Sequence, residues 1–149
     1  MRIERVQLDE QTLAIIEALD EAVFPEHPTS NKAGLGWEWW LAWDENNQPV
    51  AFAATWIDGD TGRFEKCGVL KQARGDGLQR KLIEAREADM RARGISRIIT
   101  YTAPHNWPSN NNLIKLGFVT WLPYHDDEYF DGYGWIYWTK SLEDPRTID

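Results

Sequence analysis

Two hydrophobic periods divide the chain. Residues 3–8, 37–44, 50–57 and 64–70 have the length and alternation of strands, whereas residues 10–24 place Leu13, Ile16, Leu19 and Val23 at helical spacing. The alternation in 37–44 sets Trp37, Trp39, Leu41 and Trp43 on one face. ENNQ and DGDTG are short turns, so the strands at 37–44, 50–57 and 64–70 are predicted to run antiparallel as a meander. Residues 25–36, with two prolines and two glycines, break the pattern as a loop.

The stretch VLKQARGDGLQRKLI at 69–83 then hands a strand over to a helix through a glycine turn. Leu78, Leu82, Ala85 and Met90 mark the buried side of that helix, and Gly94 is placed to end it in a left-handed cap. Glu87 with Arg91 and Asp89 with Arg93 are i,i+4 pairs on its wet side. Residues 97–102 are β-branched and aromatic, as a buried strand parallel to the one before the helix would be. This βαβ unit is right-handed on general grounds and leaves a crevice at the carboxyl ends of its strands. A loop at 104–108, a short helix at 109–116 stopped by Gly117, and an antiparallel pair at 118–122 and 135–141 complete the pattern, with 142–149 as a frayed tail. The prediction is one α/β domain over residues 1–149: a mixed, mostly antiparallel central sheet of six to seven strands, a central βαβ unit and about four helices.

Composition narrows the chemistry. The formal net charge is -8 and no Lys/Arg cluster stands out, which argues against a nucleic-acid partner. The single cysteine, Cys67, lies in a predicted strand, so it reads as a small core residue; no disulfide and no cysteine-based metal site is expected. No apolar run reaches membrane-spanning length and MRIERVQLDE lacks a signal-peptide core, so the expectation is a soluble, cytoplasmic protein with no membrane partner. Four of the nine tryptophans fall between positions 37 and 43, which points to a heavily aromatic sheet face. In the glycine turn, Gly75 and Gly77 let backbone N–H groups face outward without a Cβ in the way. The helix behind them adds unpaired N–H groups and the positive end of its dipole, a combination that suits a pyrophosphate. The same residues also fit a tight turn with no ligand.

A second motif shifts that balance. RGDGLQRKLI resembles the acyl-CoA pyrophosphate loop of the GNAT superfamily of N-acyltransferases, written as Arg or Gln, two residues, Gly, one residue, then Gly or Ala. Gln72, Gly75 and Gly77 satisfy it in one register; Arg74 and Gly77 satisfy it in another, with Gln79 in place of the final small residue. The second register is preferred because it sets Val69 at the strand end and Leu82 and Ile83 behind the loop, as the family has them. NWPSNNNLIKLGF at 106–118 is similar to the family's fourth-helix pattern ending in Gly-Phe, with Leu113 where many members carry a tyrosine that protonates the departing thiolate.

The resemblance implies a GNAT-like fold and an acetyl-CoA-dependent N-acetyltransferase that moves an acetyl group to a primary amine by direct transfer in a ternary complex. The alternative is a non-catalytic acyl-CoA-binding or protein-interaction member of the same fold. It implies contacts to acetyl-CoA from Val69, Arg74, Gly75, Asp76, Gly77, Leu78 and Gln79, with Asn106 and Lys115 from the facing helix. Arg80 and Lys81 would lie near phosphate oxygens, and backbone at 68–70 would pair with the pantetheine arm and steady the oxyanion. An amine with the pKa of lysine is neutral in roughly one molecule in a few thousand at pH 7, so deprotonation costs about 4 to 5 kcal/mol and a base is useful. Glu65 and His105 are the candidate bases; Tyr124, Tyr101 or water would supply a proton to the thiolate. Asp126, Asp127 and Tyr129 in the last long loop suit a cationic acceptor. No metal is called for, and a homodimer is compatible with the pattern.

Overall fold

The computed structural model describes residues 1–26, 36–123 and 134–143. The elements are β1 (Arg2–Val6), α1 (Glu10–Val23), β2 (Glu38–Trp43), β3 (Pro49–Asp58), β4 (Thr61–Val69), α2 (Leu78–Ala92), β5 (Arg97–Thr102), α3 (Trp107–Lys115), β6 (Val119–Thr120) and β7 (Ile136–Ser141). A single 3-10 turn, Lys71–Ala73, separates β4 from α2. Among the described residues there are thus three α-helices and this turn, against the predicted four or so helices. The strands form one seven-stranded sheet in the order β1-β2-β3-β4-β5-β7-β6. Only β4 and β5 run parallel.

Helices cover both faces. Asp9 caps α1 by accepting from the Thr12 N–H at 2.8 Å, and the helix buries Ile16 and Leu19 against Trp39, Leu41, Phe52 and Ala54. These are the inward positions predicted for the tryptophan-rich strand. The reverse face is equally dry: Trp40, Ala42, Ala51 and Ala53 pack on Leu78 and Leu82 of α2. Ile83 and Met90 of α2 continue the same layer with Phe64, Ile98, Leu113 and Trp138, which brings α3 to the α2 side. Period-2 burial on both faces is what a central strand between two helical layers requires.

Ends differ from the pattern by a few residues. The first strand stops at Val6 rather than at residue 8, because the Asp9 N–H turns back to the Gln7 carbonyl and starts the cap. The short helix begins at Trp107, two residues before the predicted start, with Pro108 in its first turn and Asn106 as its cap. Of the predicted strand at 118–122, only Val119 and Thr120 pair with β7. Gly94 and Gly117 end their helices at φ of 75° and 90°, the left-handed geometry expected of them. The predicted pairs also form, Arg91 to Glu87 at 3.3 Å and Arg93 to Asp89 at 3.2 Å.

The parallel contact is short. β4 pairs with β5 only from Thr61 to Arg63, opposite Arg97 to Ile99. Beyond it the strands diverge, and the Thr100 hydroxyl, donating to the Phe64 carbonyl at 3.1 Å, is the last link between them. From Phe64 onward β4 is paired on its β3 side alone. Its remaining backbone N–H and C=O groups therefore face a crevice rather than a neighbouring strand.

Candidate active site

The crevice is shaped by an irregularity in β4. Ala53 pairs with Cys67 and Thr55 with Phe64, so Glu65 and Lys66 stand opposite the single residue Ala54. Such a bulge leaves a carbonyl without its ladder partner and turns two neighbouring side chains toward one side. Arg86 of α2 fills the gap: its Nη1 donates to the Ala54 carbonyl at 3.1 Å and its Nε to the Leu82 carbonyl at 3.2 Å. Its guanidinium lies 3.9 Å from the centre of the Phe64 ring. Arg86 is 2% exposed, and burial lowers its pKa.

A cavity of about 510 Å³ opens between the diverging strands, lined on the α2 side by Cys67, Ile83, Arg86 and Leu113. Phe24, Trp37, Glu65, Lys66, Tyr101 and Trp135 line it elsewhere. Glu65 is held by Arg63, two residues back on the same strand. Burial nonetheless raises its carboxyl pKa above the ordinary value, more than the Arg63 charge lowers it. Lys66 reaches the fully buried Asp20 of α1 at 2.7 Å and lies 4.7 Å from the centre of the Phe24 ring. Burial likewise pushes the Cys67 thiol up, with the Arg86 charge opposing it.

A second cavity, of about 570 Å³, lies toward the glycine turn. Gly75 and Gly77 adopt φ of 96° and 72°, conformations that exclude nearly every other residue at no gain in contact. Gly77 is the N-cap of α2 and has no side-chain cap, and the first turn carries no acidic residue. The helix thus presents its first N–H groups and the positive end of its dipole without a protein counterpart. The Arg74 side chain folds back so that its Nε donates to the Val69 carbonyl at 3.0 Å, tying the turn to the strand end. Gln79 points across to α3: its amide donates to Ser109 Oγ at 2.8 Å and accepts from Asn112 Nδ2 at 2.9 Å. The two cavities share Phe24, Cys67, Gln79, Asn106 and Ser109, so the turn and the bulge belong to one crevice.

The predicted residues distribute unevenly around this crevice. Val69, Arg74, Gly75, Gly77, Leu78, Gln79 and Asn106 line the second cavity, and Glu65 lines the first. Asp76, His105 and Lys115 are exposed and line neither cavity, Asp76 standing in the turn between Gly75 and Gly77, which both line the second. Tyr124, Asp126, Asp127 and Tyr129 lie outside the described residues. Among the described residues, no group of three or more His, Cys, Asp or Glu side chains is placed to hold a metal ion.

The sequence matches the family described as Acetyltransferase (GNAT) family over residues 10–118, from the start of α1 through the end of α3. The chain belongs to the GNAT acetyltransferase family. Solved GNAT structures agree with its fold. The ribosomal-protein-S18-alanine N-acetyltransferase of Escherichia coli superposes with a TM-score of 0.76 at 16% identity, covering 99% of each chain. A phosphinothricin acetyltransferase of Sinorhizobium meliloti, solved with AcCoA, gives 0.71 at 16% identity over 95% of this chain and 89% of its own. An acetyltransferase of Bacillus subtilis in complex with CoA gives 0.73 at 15% identity, covering 95% and 99%. Comparison with curated proteins finds no match. At these identities the solved structures speak for the fold alone.

Within this GNAT chain, sequence reasoning missed Arg86. A signal was present, since Leu78, Leu82 and Met90 lie on one helical row and Arg86, four residues from both Leu82 and Met90, completes it. An arginine in such a row is ordinarily read as solvent-facing; the orphan carbonyl that draws it inward exists only once β4 has bulged.

Proposed function

We propose that the protein is an acetyl-CoA-dependent N-acetyltransferase that moves an acetyl group to a primary amine by direct transfer in a ternary complex. The observation that carries this reading is the crevice itself: an uncapped, glycine-turned helix N-terminus at one end and, leading to the bulge, a stretch of β4 with no strand paired on its β5 side at the other. The first suits a pyrophosphate through backbone N–H groups and the helix dipole. The second suits an extended pantetheine arm, which can pair with β4 as an added strand and offer its thioester to a backbone N–H. The AcCoA named for the Sinorhizobium structure and the CoA named for the Bacillus structure are consistent with it.

In this reading Glu65 is the base. It lines the cavity, and its raised pKa makes it a better proton acceptor once ionised. Val69, Arg74, Gly75, Gly77, Leu78, Gln79 and Asn106 hold the donor, and the loop carrying Asp126, Asp127 and Tyr129 selects a cationic acceptor. The departing thiol ionises near 8.5, so leaving as thiolate at neutral pH is only mildly unfavourable, about 2 kcal/mol. The apolar Leu113 is therefore compatible with turnover.

The experiment is a thiol-release assay with acetyl-CoA against a panel of small and peptidyl amines, run beside thermal denaturation with and without CoA. Turnover with at least one amine is expected. Stabilisation by CoA with no turnover on any amine would instead mark a non-catalytic acyl-CoA-binding member, a reading kept in view by the Gln79 bridge across the crevice.

A further inference from the structure

We propose that the Arg86 guanidinium receives the negative charge that appears on sulfur when a thioester is cleaved in this crevice, an assignment that rests on the acyl-transfer reading above. The argument begins with charge. Around the cavity Glu65 is paired with Arg63 and Lys66 with Asp20. Arg86 is different: it is buried, it contacts two carbonyl oxygens and an aromatic face, and no carboxylate of the described residues pairs with it. Its Nη2 has no hydrogen-bond partner among the described residues, and the side chain lines the cavity. A buried cation without a counter-charge weakens the resting fold. A group of that kind is arranged for a state in which the counter-charge is present.

Position identifies the counter-charge. Arg86 lies at the closed end of the crevice, stacked on Phe64 where β4 and β5 part. Leu78 begins α2 eight residues earlier, so the helix N-terminus lies about 12 Å away along the axis. A linear thiol-bearing arm held by its pyrophosphate at the glycine turn would deliver its sulfur toward Arg86. Of the other residues on that wall, Ile83 and Leu113 offer no polar atom and Cys67 only a thiol, so Arg86 is its one cation. The titratable groups facing the same space are Glu65, Lys66 and Cys67 of β4 and Tyr101 of β5.

The step balances without Arg86 gaining or losing a proton. The amine nitrogen forms the C–N bond while the carbonyl π pair moves to oxygen. Collapse restores the carbonyl and breaks the C–S bond, whose electron pair stays on sulfur beside the guanidinium. The surplus proton on nitrogen leaves through the base to solvent, and the thiolate takes one up from solvent on release. Arg86 remains a cation throughout.

The test titrates the thiol of CoA bound to the wild-type protein by its thiolate ultraviolet absorbance, with the CoA-free protein subtracted to remove Cys67 and the tyrosines. The bound thiol should favour thiolate roughly 10- to 100-fold more than free CoA does, the range expected of a hydrogen bond to a charged group. Arg86→Met should abolish the shift and lower kcat roughly 10²-fold, with Arg86→Lys keeping part of both. A purely structural Arg86 that only holds the Ala54 carbonyl would weaken acetyl-CoA and S-methyl-CoA binding alike and leave the thiol pKa of bound CoA unshifted. An unshifted thiol in the wild-type complex overturns the assignment, and that measurement needs no variant to fold. Absence of any CoA binding is a different result: it removes the acyl-transfer reading and this assignment with it.

Discussion

Gly77 and Gly94 bound α2 at its two ends, and both occupy left-handed backbone, at φ of 72° and 75°. A Cβ on Gly77 would meet nothing closer than Arg80 Nη2 at 3.6 Å, and one on Gly94 nothing within 4 Å. Alanine at either position therefore meets the same penalty, the left-handed strain of about 1–2 kcal/mol, with no clash added. For a chain of this length that is a fall in Tm of roughly 2–8 °C. Their functional consequences should separate, because α2 is 15 residues long and its ends are about 22 Å apart. Relaxing the strain at Gly77 swings the N–H groups of Leu78 and Gln79 away from the second cavity. Loss of one hydrogen bond to a phosphate is worth roughly 1.5–3 kcal/mol, or about 10- to 150-fold in Kd. Thermal denaturation of Gly77→Ala and Gly94→Ala, followed by calorimetric titration with CoA, makes the comparison. Equal losses in stability with weakened CoA binding only in Gly77→Ala are expected. If Gly94→Ala weakens CoA as much, or Gly77→Ala binds CoA normally, the backbone of this turn is not the pyrophosphate site.

Four further outcomes are expected. Glu65 has a folded-state pKa raised by burial, so it favours the folded protein below the ordinary glutamate range and loses that contribution as pH rises through the raised value. Melting curves across this interval should show Glu65→Gln gaining on the wild type as pH rises, together with loss of the acidic limb of kcat; parallel curves would refute the raised pKa. Gln79→Ala removes two partly buried hydrogen bonds between α2 and α3 and should cost about 1–3 kcal/mol in urea denaturation. Because Gln79 would hold the donor through its backbone N–H, CoA affinity should change little in that variant, and a large loss would place the amide side chain on the ligand. Leu113→Tyr adds a hydroxyl to a wall of the first cavity and should leave kcat no lower; a large drop counts against that position facing the thioester. Neutralising Asp126 and Asp127 to asparagine should raise KM for a cationic amine several-fold at low salt, and an unchanged KM would end the idea of a cation-selecting loop.

The legible parts of this protein are those written in local sequence. Helix ends at Gly94 and Gly117 and the glycines before α2 each depend on a few consecutive residues, whose backbone preferences act over one turn. The meander and the βαβ unit follow from turn length and from the handedness of crossovers. His105 shows where that reasoning loses force. Its place in the chain, just past β5, is the right one for a residue beside the crevice, yet it is exposed and lines neither cavity. Nothing in a loop's composition says which way its side chains turn. Gln79 is the complementary case: it departs from the family pattern, and its role becomes intelligible only beside Ser109 and Asn112, thirty and more residues away.

By itself, then, the sequence determined the order of elements, the parallel pair and the glycine turn before α2, because each rests on short-range geometry. The tertiary structure alone decided what the turn opens onto. The early divergence of β4 from β5 depends on how far the pairing at Thr61 to Arg63 extends, a property of two strands thirty-six residues apart in register. The bulge at Glu65 and Lys66 is a mismatch in count between β3 and β4, invisible in either strand taken singly. Arg86, the buried cation of the crevice, answers that mismatch from a third element, which is why a helical row that looked apolar but for one residue concealed the charge at its centre.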